Sequence, residues 1–279
     1  MKALALDTSI SCIQIAAKND DNLASLILDI GMRQSEKLLP AIDYVMRQAD
    51  LTPGELDYTV LCEGPGSFTG LRLGFAALKA IELFGGTSAN ENSSQDQKAG
   101  GSAKIPLYGI NSLDFLAHPF LDFDGIVLPV IDAHKEKFYA KAFFNGKEIL
   151  PCDDWDLRAL EEKLLAFAQA QDRADENCLQ GQKSGASGDC LQDQKAAAQK
   201  ILVCGLEAQT FAASCKENGL FKGFKIAAPK ARAANIESLF ILAQEKIARN
   251  EPPLADYDGP KYYRASEAEQ KAAETTSQR

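Results

Sequence analysis

The sequence has no apolar run long enough to cross a membrane, no Cys-x-x-Cys pair, and only two histidines, His118 and His134. A spanning helix needs about 20 apolar residues, and the short apolar run after Lys2 is interrupted at Asp7, which argues against a signal peptide. The seven cysteines are odd in number and scattered, which disfavours a zinc site or a disulfide framework. We therefore expect a cytoplasmic protein with free thiols and no membrane partner.

Basic charge is also scarce. The chain holds 30 Lys and Arg against 39 Asp and Glu, for a net charge of −9. Affinity for nucleic acid comes mainly from Lys and Arg on phosphates, so this chain is expected to meet RNA only through a partner. The apolar fraction of 46% is that of a globular protein, and 279 residues suffice for one large or two medium domains.

A glycine-rich turn follows the apolar run 58–61 and opens a helical segment that continues to about Phe84. It reads Gly64-Pro65-Gly66-Ser67-Phe68-Thr69-Gly70-Leu71-Arg72. The pattern is neither a P-loop, because no Gly-Lys-Ser/Thr follows, nor G-x-G-x-x-G. A strand that enters a helix through glycines presents free N–H groups, which suits an anion or the close approach of a partner backbone.

Two polar segments, 87–104 and 172–200, differ in composition from the rest of the chain, and residues 267–279 form a polar tail. Segments built from Ser, Asn, Gln, Gly and Lys cannot bury enough apolar surface to offset the entropy lost on ordering. We interpret both segments as flexible surface insertions.

Without these insertions the chain repeats one pattern. Each copy begins with a strand that ends in an aspartate, Asp7 or Asp132, and later reaches a strand followed by a glycine, Gly64 or Gly205. Three antiparallel strands, a helix, a parallel strand and a helix predict a duplicated βββαβα α/β fold, actin-like or ribonuclease-H-like, with two lobes facing a cleft. The lobes are predicted at 1–117 and 118–266, with the last helix, 235–250, able to pack back on the first lobe.

Several separated motifs resemble the TsaB (YeaZ) family. They occur in the family's order and cover nearly the whole chain except the insertions. They are Leu6-Asp7-Thr8-Ser9, the segment 34–40 (QSEKLLP), the glycine-rich turn 64–72, the segment 109–113 (GINSL) and the segment 262–269 (YYRASEAE).

The resemblance implies an actin-like ASKHA fold and a non-catalytic subunit of the machinery that makes threonylcarbamoyladenosine. Such a subunit binds TsaD, cooperates with TsaE through the TsaB–TsaD complex, and supports threonylcarbamoyl transfer to adenosine 37 of tRNAs that read ANN codons. The family also self-associates, which leaves a homodimer open. The alternative is an ATP-binding ASKHA-type transferase or kinase with its own activity. A peptidase is disfavoured, because no Ser or Cys is recognisably tied to a base.

The metal site that the resemblance implies for TsaD is altered in this chain. TsaD holds its ion with a His-x-x-x-His helix pair, and Ser112 and Leu116 stand at the matching positions here. Leucine cannot ligate a metal. A shifted pair, Asp114 and His118, remains as a weak alternative to an ordinary helix-end histidine. We expect no metal site and no catalytic residue.

The strand-end aspartates and the glycine turn could form a nucleotide cleft. In ASKHA enzymes such aspartates handle Mg²⁺ near ATP phosphates. The competing interpretation is that Asp7 caps a tight turn and that the glycines serve backbone geometry. We expect a vestigial cleft with no tightly bound cofactor, and leave weak nucleotide binding open. The candidate residues are Asp7, Thr8, Ser9, Gly64, Gly66 and Asp132.

Apolar stripes on the first two helices are the candidate partner surface, following the family's pairing of TsaB with TsaD. The predicted contact residues are Ser35, Leu38, Leu39, Ile42, Leu71, Arg72, Gly74, Phe75 and Leu78. A charge at Leu39 or Leu78 is then expected to weaken TsaD binding. Periodicity alone cannot exclude that both stripes face the protein's own core.

Overall fold

The computed structural model describes residues 1–84, 104–181, 199–231 and 233–264. The chain divides into two compact units. The first comprises Met1–Phe115 with Asn235–Lys261, and the second comprises Leu116–Ala234 with Tyr262–Arg279. Among the described residues, no helix is both long and apolar enough to span a bilayer.

The first unit is built on a five-stranded sheet of order β3-β2-β1-β4-β5. Strands β1 to β3 are antiparallel, and β4 and β5 run parallel to β1. The strands are β1 (Lys2–Asp7), β2 (Ile13–Asn19), β3 (Asn22–Leu28), β4 (Tyr58–Gly64) and β5 (Leu107–Asn111). The helices are α1 (Gln34–Gln48) and α2 (Phe68–Phe84), and α3 (Ser112–Ala117) follows β5.

The second unit repeats this plan with the strand order β10-β9-β6-β7-β8. Its strands are β6 (Ile126–His134), β7 (Lys137–Phe144), β8 (Lys147–Asp156), β9 (Lys200–Cys204) and β10 (Lys225–Ala227). Its helices are α4 (Leu157–Gly181) and α5 (Ala208–Glu217). The order βββαβα therefore occurs twice with equivalent strand pairing, which confirms the predicted ASKHA fold class.

The duplication extends to the turns that carry the sequence motifs. The Ser9 N–H donates to Asp7 Oδ1 at 2.8 Å, and the His134 N–H donates to Asp132 Oδ1 at 2.7 Å. The glycines after the parallel strands also match, with φ of 118° at Gly64 and 111° at Gly205. Each aspartate therefore closes a turn two residues on, which is the ordinary role of an Asx turn.

Each unit has its own apolar core. In the first, α1 and α2 bury Val45 and Leu78 against the sheet, and the last helix, α6 (Glu237–Ala248), contacts β1, β4 and β5. In the second, residues of α4 and α5, among them Leu160 and Phe211, pack on the central strands. Every residue of β4 is buried, as expected for a parallel strand covered on both faces.

One local feature differs from the sequence-based prediction. Helix α4 continues to Gly181, so residues 172–181 of the predicted insertion 172–200 are helical. The remaining parts of the insertions, residues 87–103 and 182–198, and the tail 267–279 lie outside the described residues.

Candidate functional site

The turn after β1 gathers buried polar groups around Asp7. The Asp7 side chain is inaccessible to solvent. Its Oδ1 accepts hydrogen bonds from the Ser9 N–H at 2.8 Å and the Ser9 hydroxyl at 2.6 Å, and its Oδ2 accepts one from Gln14 Nε2 at 3.3 Å. Burial raises the pKa of Asp7, while the donors from Ser9 oppose that rise. Groups of the chain itself thus occupy both carboxylate oxygens.

Cys62 adds to this buried cluster from the neighbouring strand. Burial raises the pKa of the Cys62 thiol well above its ordinary value, and the nearby Asp7 carboxylate raises it further. A buried thiol with a raised pKa is a poor nucleophile, because the thiolate is the reactive form. Within the described part of the chain, no group of three or more His, Cys, Asp or Glu side chains could hold a metal ion.

Three glycines bring α2 and the preceding turn against the backbone of Thr8 and Ser9. A Cβ added at Gly66 would clash with Ser9 O, one at Gly70 with Thr8 O, and one at Gly74 with the Thr8 hydroxyl. Glycine is therefore needed here for close backbone approach. The close approach favours the interpretation that the glycines serve backbone geometry.

The start of α2 is also satisfied internally. The Ser67 N–H donates to Ser9 O at 2.6 Å, and the Gly70 N–H lies 3.2 Å from the Ser67 hydroxyl oxygen. Ser67 thus acts as the N-cap of α2. The N–H groups of Ser67 and Gly70, which an anion would need, therefore already donate to oxygens of the chain itself. The bond to Ser9 O ties the turn to the segment that follows β1.

The other two predicted cleft residues, Gly64 and Asp132, lie in different units. Gly64 adjoins the last part of the first unit, because an added Cβ would lie 2.5 Å from Lys261 O. Asp132 belongs to the second unit and is 43% exposed, with its Oδ2 lying 3.3 Å from His134 Nδ1. The structure therefore brings Thr8 and Ser9 against the glycine turn and places Asp132 on a separate unit.

The positions of the altered metal pair are also resolved. Ser112 and Leu116 are both buried. His118 opens a 3-10 turn, His118–Phe120, after α3 has ended at Ala117. Asp114 therefore lies within α3, and His118 lies just beyond its end.

The partner-surface prediction needs correction for most of its residues. Their side chains are buried in the core of the first unit, and the reason is that the apolar stripes of both helices cover the sheet. The prediction is therefore wrong for Leu38, Ile42, Leu71, Phe75 and Leu78. Gly74 is also buried, because it packs against Thr8.

Three predicted residues, Ser35, Leu39 and Arg72, do reach the surface. Leu39 is 63% exposed, whereas the preceding residue, Leu38, is buried. The guanidinium of Arg72 lies 3.9 Å from the centroid of the Phe68 ring, a cation–π arrangement. Phe68 was not among the predicted contact residues.

The exposed residues of α1 and α2 form one candidate surface, here called the helix face. On α2 they recur about every four residues, so they lie along one side of the helix. The two helices contact each other, and Gln34 at the start of α1 lies beside Gly70. The helix face comprises Ser35 and Leu39 of α1 and Phe68, Arg72, Ala76 and Leu83 of α2.

Comparison with known proteins supports the motif-based resemblance. Residues 31–84, from just before α1 to the end of α2, match the model of the family described as TsaD: tRNA N6-adenosine threonylcarbamoyltransferase. The chain is 29% identical over 173 residues to the tRNA threonylcarbamoyladenosine biosynthesis protein TsaB of Bacillus subtilis (strain 168). That alignment covers 58% of this chain and 67% of the relative.

A second relative carries the same name. The protein of Buchnera aphidicola subsp. Schizaphis graminum is 31% identical over 114 residues, which is 41% of this chain and 46% of the relative. The chain thus spans less than half of this relative and about two thirds of the Bacillus protein. These matches confirm the resemblance to TsaB that the motifs predicted.

Solved structures show the same fold. YeaZ from Pseudomonas aeruginosa superposes with a TM-score of 0.60 at 17% identity, covering 94% of this chain and 99% of that chain. A protein with similarity to peptidase YEAZ, also from Pseudomonas aeruginosa, gives a TM-score of 0.62 at 18% identity, with the same coverage. At these identities the comparison establishes architecture, and function has to be argued from the surface and the site.

Proposed function

We propose that this chain is a scaffold subunit that binds a TsaD-type transferase through its helix face. In that role it supports transfer of threonylcarbamoyl to adenosine 37 of tRNAs that read ANN codons. TsaE is the further proposed partner, reached through the complex, and the cytoplasm is the proposed location. The names of the curated relatives support the pathway, and the exposed apolar character of the helix face supports the mode of action.

The observation that carries the proposal is the coincidence of two findings on α1 and α2. These helices expose Leu39, Phe68 and Leu83 to solvent, and the same segment, residues 31–84, resembles the transferase family. A transferase with equivalent helices could pack them against this face, burying apolar side chains from both proteins. Each large aliphatic side chain buried there would contribute about 1.5–3 kcal/mol before ordering costs.

A supporting role without chemistry is inferred from the site around Asp7. Ser9 and Gln14 donate hydrogen bonds to both oxygens of the Asp7 carboxylate. Ser112 and Leu116 occupy the positions at which the resemblance places metal-binding histidines. We therefore propose that the chain has no catalytic residue and no tightly bound nucleotide. Titration calorimetry with ATP and Mg²⁺ tests this. A dissociation constant in the low micromolar range or tighter would favour the alternative of an ATP-binding transferase or kinase.

The partner surface is tested by charge insertion. Leu39→Asp places a carboxylate on the helix face without disturbing the core, because the side chain is mostly exposed. Size-exclusion chromatography with light scattering, alone and with the TsaD-type transferase of the same organism, measures assembly, and calorimetry gives the affinity. We expect the variant to bind at least about 10-fold more weakly, because a charge in an apolar interface must be desolvated.

Ile241→Asp is the matched control. Ile241 is an exposed aliphatic residue on α6, 44% exposed and outside the helix face. This variant should bind the transferase as wild type does. If wild type and Leu39→Asp bind equally well, the helix face is not the binding surface. If wild type does not bind the transferase at all, the proposed scaffold role is wrong.

A further inference from the structure

A group of exposed lysines lies at one edge of the second unit's sheet. Lys216 near the end of α5 and Lys222 in the following loop both line an open pocket of about 380 Å³. The rest of the lining is apolar or uncharged, and no carboxylate contributes to it. The other lining residues are Ala212, Cys215, Gly219, Leu220, Phe224 and Ile226.

Two further lysines continue this group along the sheet edge. Lys225 is the first residue of β10, the outermost strand of the described sheet. Because side chains alternate along a strand, Lys225 leaves β10 on the face opposite to Ile226, which lines the pocket. Lys230 follows three residues after β10 ends. We call Lys216, Lys222, Lys225 and Lys230 the lysine edge.

Positive charge predominates at the lysine edge, where the acidic neighbours are Glu217 and Glu161, the latter accepting a hydrogen bond from the Phe221 N–H. All four side chains are exposed, and none forms an ion pair with a described residue. The segment from 216 to 230 contains these four lysines and a single acidic residue, Glu217, in a chain whose net charge is −9. At physiological ionic strength, charges more than about 8 Å away are largely screened. A ligand at this edge therefore meets local positive potential.

We propose that the lysine edge binds the phosphate backbone of RNA, and this inference rests on the proposed function, which brings tRNA to the complex. Lysines distributed over the end of α5, the following loop, β10 and the segment after it suit an extended polyanion, because a small anion would reach only one or two of them. A ribose-phosphate chain carries one charge per nucleotide and can follow the edge. The acidic chain would then contact RNA directly within the complex, whereas the sequence-based expectation was that only a partner contacts it.

The test variant is Lys216→Gln/Lys222→Gln/Lys225→Gln. The matched control is Lys135→Gln/Lys147→Gln/Lys163→Gln, which removes the same charge from exposed positions of the same unit. Each variant is first assembled with the transferase and checked by light scattering. Fluorescence anisotropy with labelled tRNA then gives the dissociation constant of the complex between about 50 and 200 mM KCl, the range over which phosphate contacts lose affinity steeply.

We expect the test variant to bind tRNA about 10-fold more weakly at low salt, with a log–log salt slope reduced by about 2 to 3, since each lost phosphate contact removes about 0.9. The control should keep the wild-type slope and affinity. An unchanged test variant, or equal losses in both variants, would overturn the inference.

Two other outcomes are distinguishable. If the test variant no longer assembles with the transferase while the control does, the lysine edge binds an acidic protein surface, and the RNA assignment is overturned. If wild type fails to assemble, the proposed function is overturned together with this inference. Normal assembly with unaffected tRNA affinity overturns this inference alone.

Discussion

The Lys261 ammonium lies 2.7 Å from the Glu63 carboxylate, although 198 residues separate the two in sequence. The Lys261 N–H also donates to Glu63 O at 2.7 Å. Glu63 is buried near the end of β4, and Lys261 is its ion-pair partner. Because residues 235–261 belong to the first unit, the pair fixes the end of that segment beside the glycine turn. The segment thus supports the strand end that leads into the helix face.

Lys261→Met should destabilise the first unit by removing that partner. The Lys261 side chain is 60% exposed, so the ion pair itself is screened by solvent. The loss comes mainly from leaving a buried carboxylate without its donor, and we expect about 1 kcal/mol. Urea unfolding followed by circular dichroism measures it. Lys163→Met, at an exposed lysine of α4, is the control and should change stability by less than about 0.5 kcal/mol.

Gly70→Ala should destabilise the protein although alanine is the better helix former. The added Cβ would meet the Thr8 carbonyl oxygen, which is backbone and cannot move aside cheaply. We expect a loss of about 1–3 kcal/mol, the usual cost of overpacking, measured by urea unfolding. Gly259→Ala is the control, because nothing lies within 4 Å of its added Cβ. A Gly70→Ala protein as stable as wild type would show that the turn can open, as a phosphate-binding loop must.

Much of the fold was predictable from the sequence because its signals are local. Strands that end in Asp7 and Asp132, hairpin turns and helical stripes recur in the same order, and the two sheets follow that order. Helix α4 extends into the predicted insertion 172–200. Residues 172–181 are mostly polar and carry no apolar stripe in the sequence. Composition therefore indicated an insertion where the backbone is still helical.

The candidate surface was less predictable, for a geometric reason. Both faces of α1 and α2 carry apolar residues, and periodicity does not say which stripe covers the sheet. Leu38 and Leu39 are neighbours in sequence, yet one is buried and the other is 63% exposed. The roles of Glu63 and Lys261 also depend on a contact between distant segments. The only sequence signal for it is a charged residue at the end of an apolar strand.

Leu78→Asp should unfold the first unit instead of selectively weakening partner binding. Leu78 is completely buried in the core beneath α2. A carboxylate there loses its hydration without gaining a partner, and we expect a loss above about 4 kcal/mol. Thermal unfolding and near-ultraviolet circular dichroism measure it. Its counterpart, Leu39→Asp, should keep a wild-type melting temperature. A folded Leu78→Asp protein that fails to bind the transferase would contradict this prediction and indicate that Leu78 contributes to the contact surface.

The stability of the protein should carry a pH dependence that comes from Asp7. Burial raises the pKa of its carboxyl above the ordinary value of 3.8, so between these two values the folded state binds more protons than the unfolded state. The contribution is therefore fully present below the unfolded pKa and is lost as pH rises through the folded pKa. Asp7→Asn, of nearly the same shape, removes this titration.

Urea unfolding of wild type and Asp7→Asn from pH 4 to pH 8 provides the measurement. The free energy of unfolding of wild type, relative to the variant, should fall as pH rises and then level off once Asp7 is ionised in both states. Taking the difference cancels the other titrating groups, because the two proteins share them. A relative stability that instead grows with pH would mean that the Ser9 donors stabilise the anion more than burial penalises it. The Asp7 turn would then hold a carboxylate that is charged at neutral pH, as a cation-binding site requires.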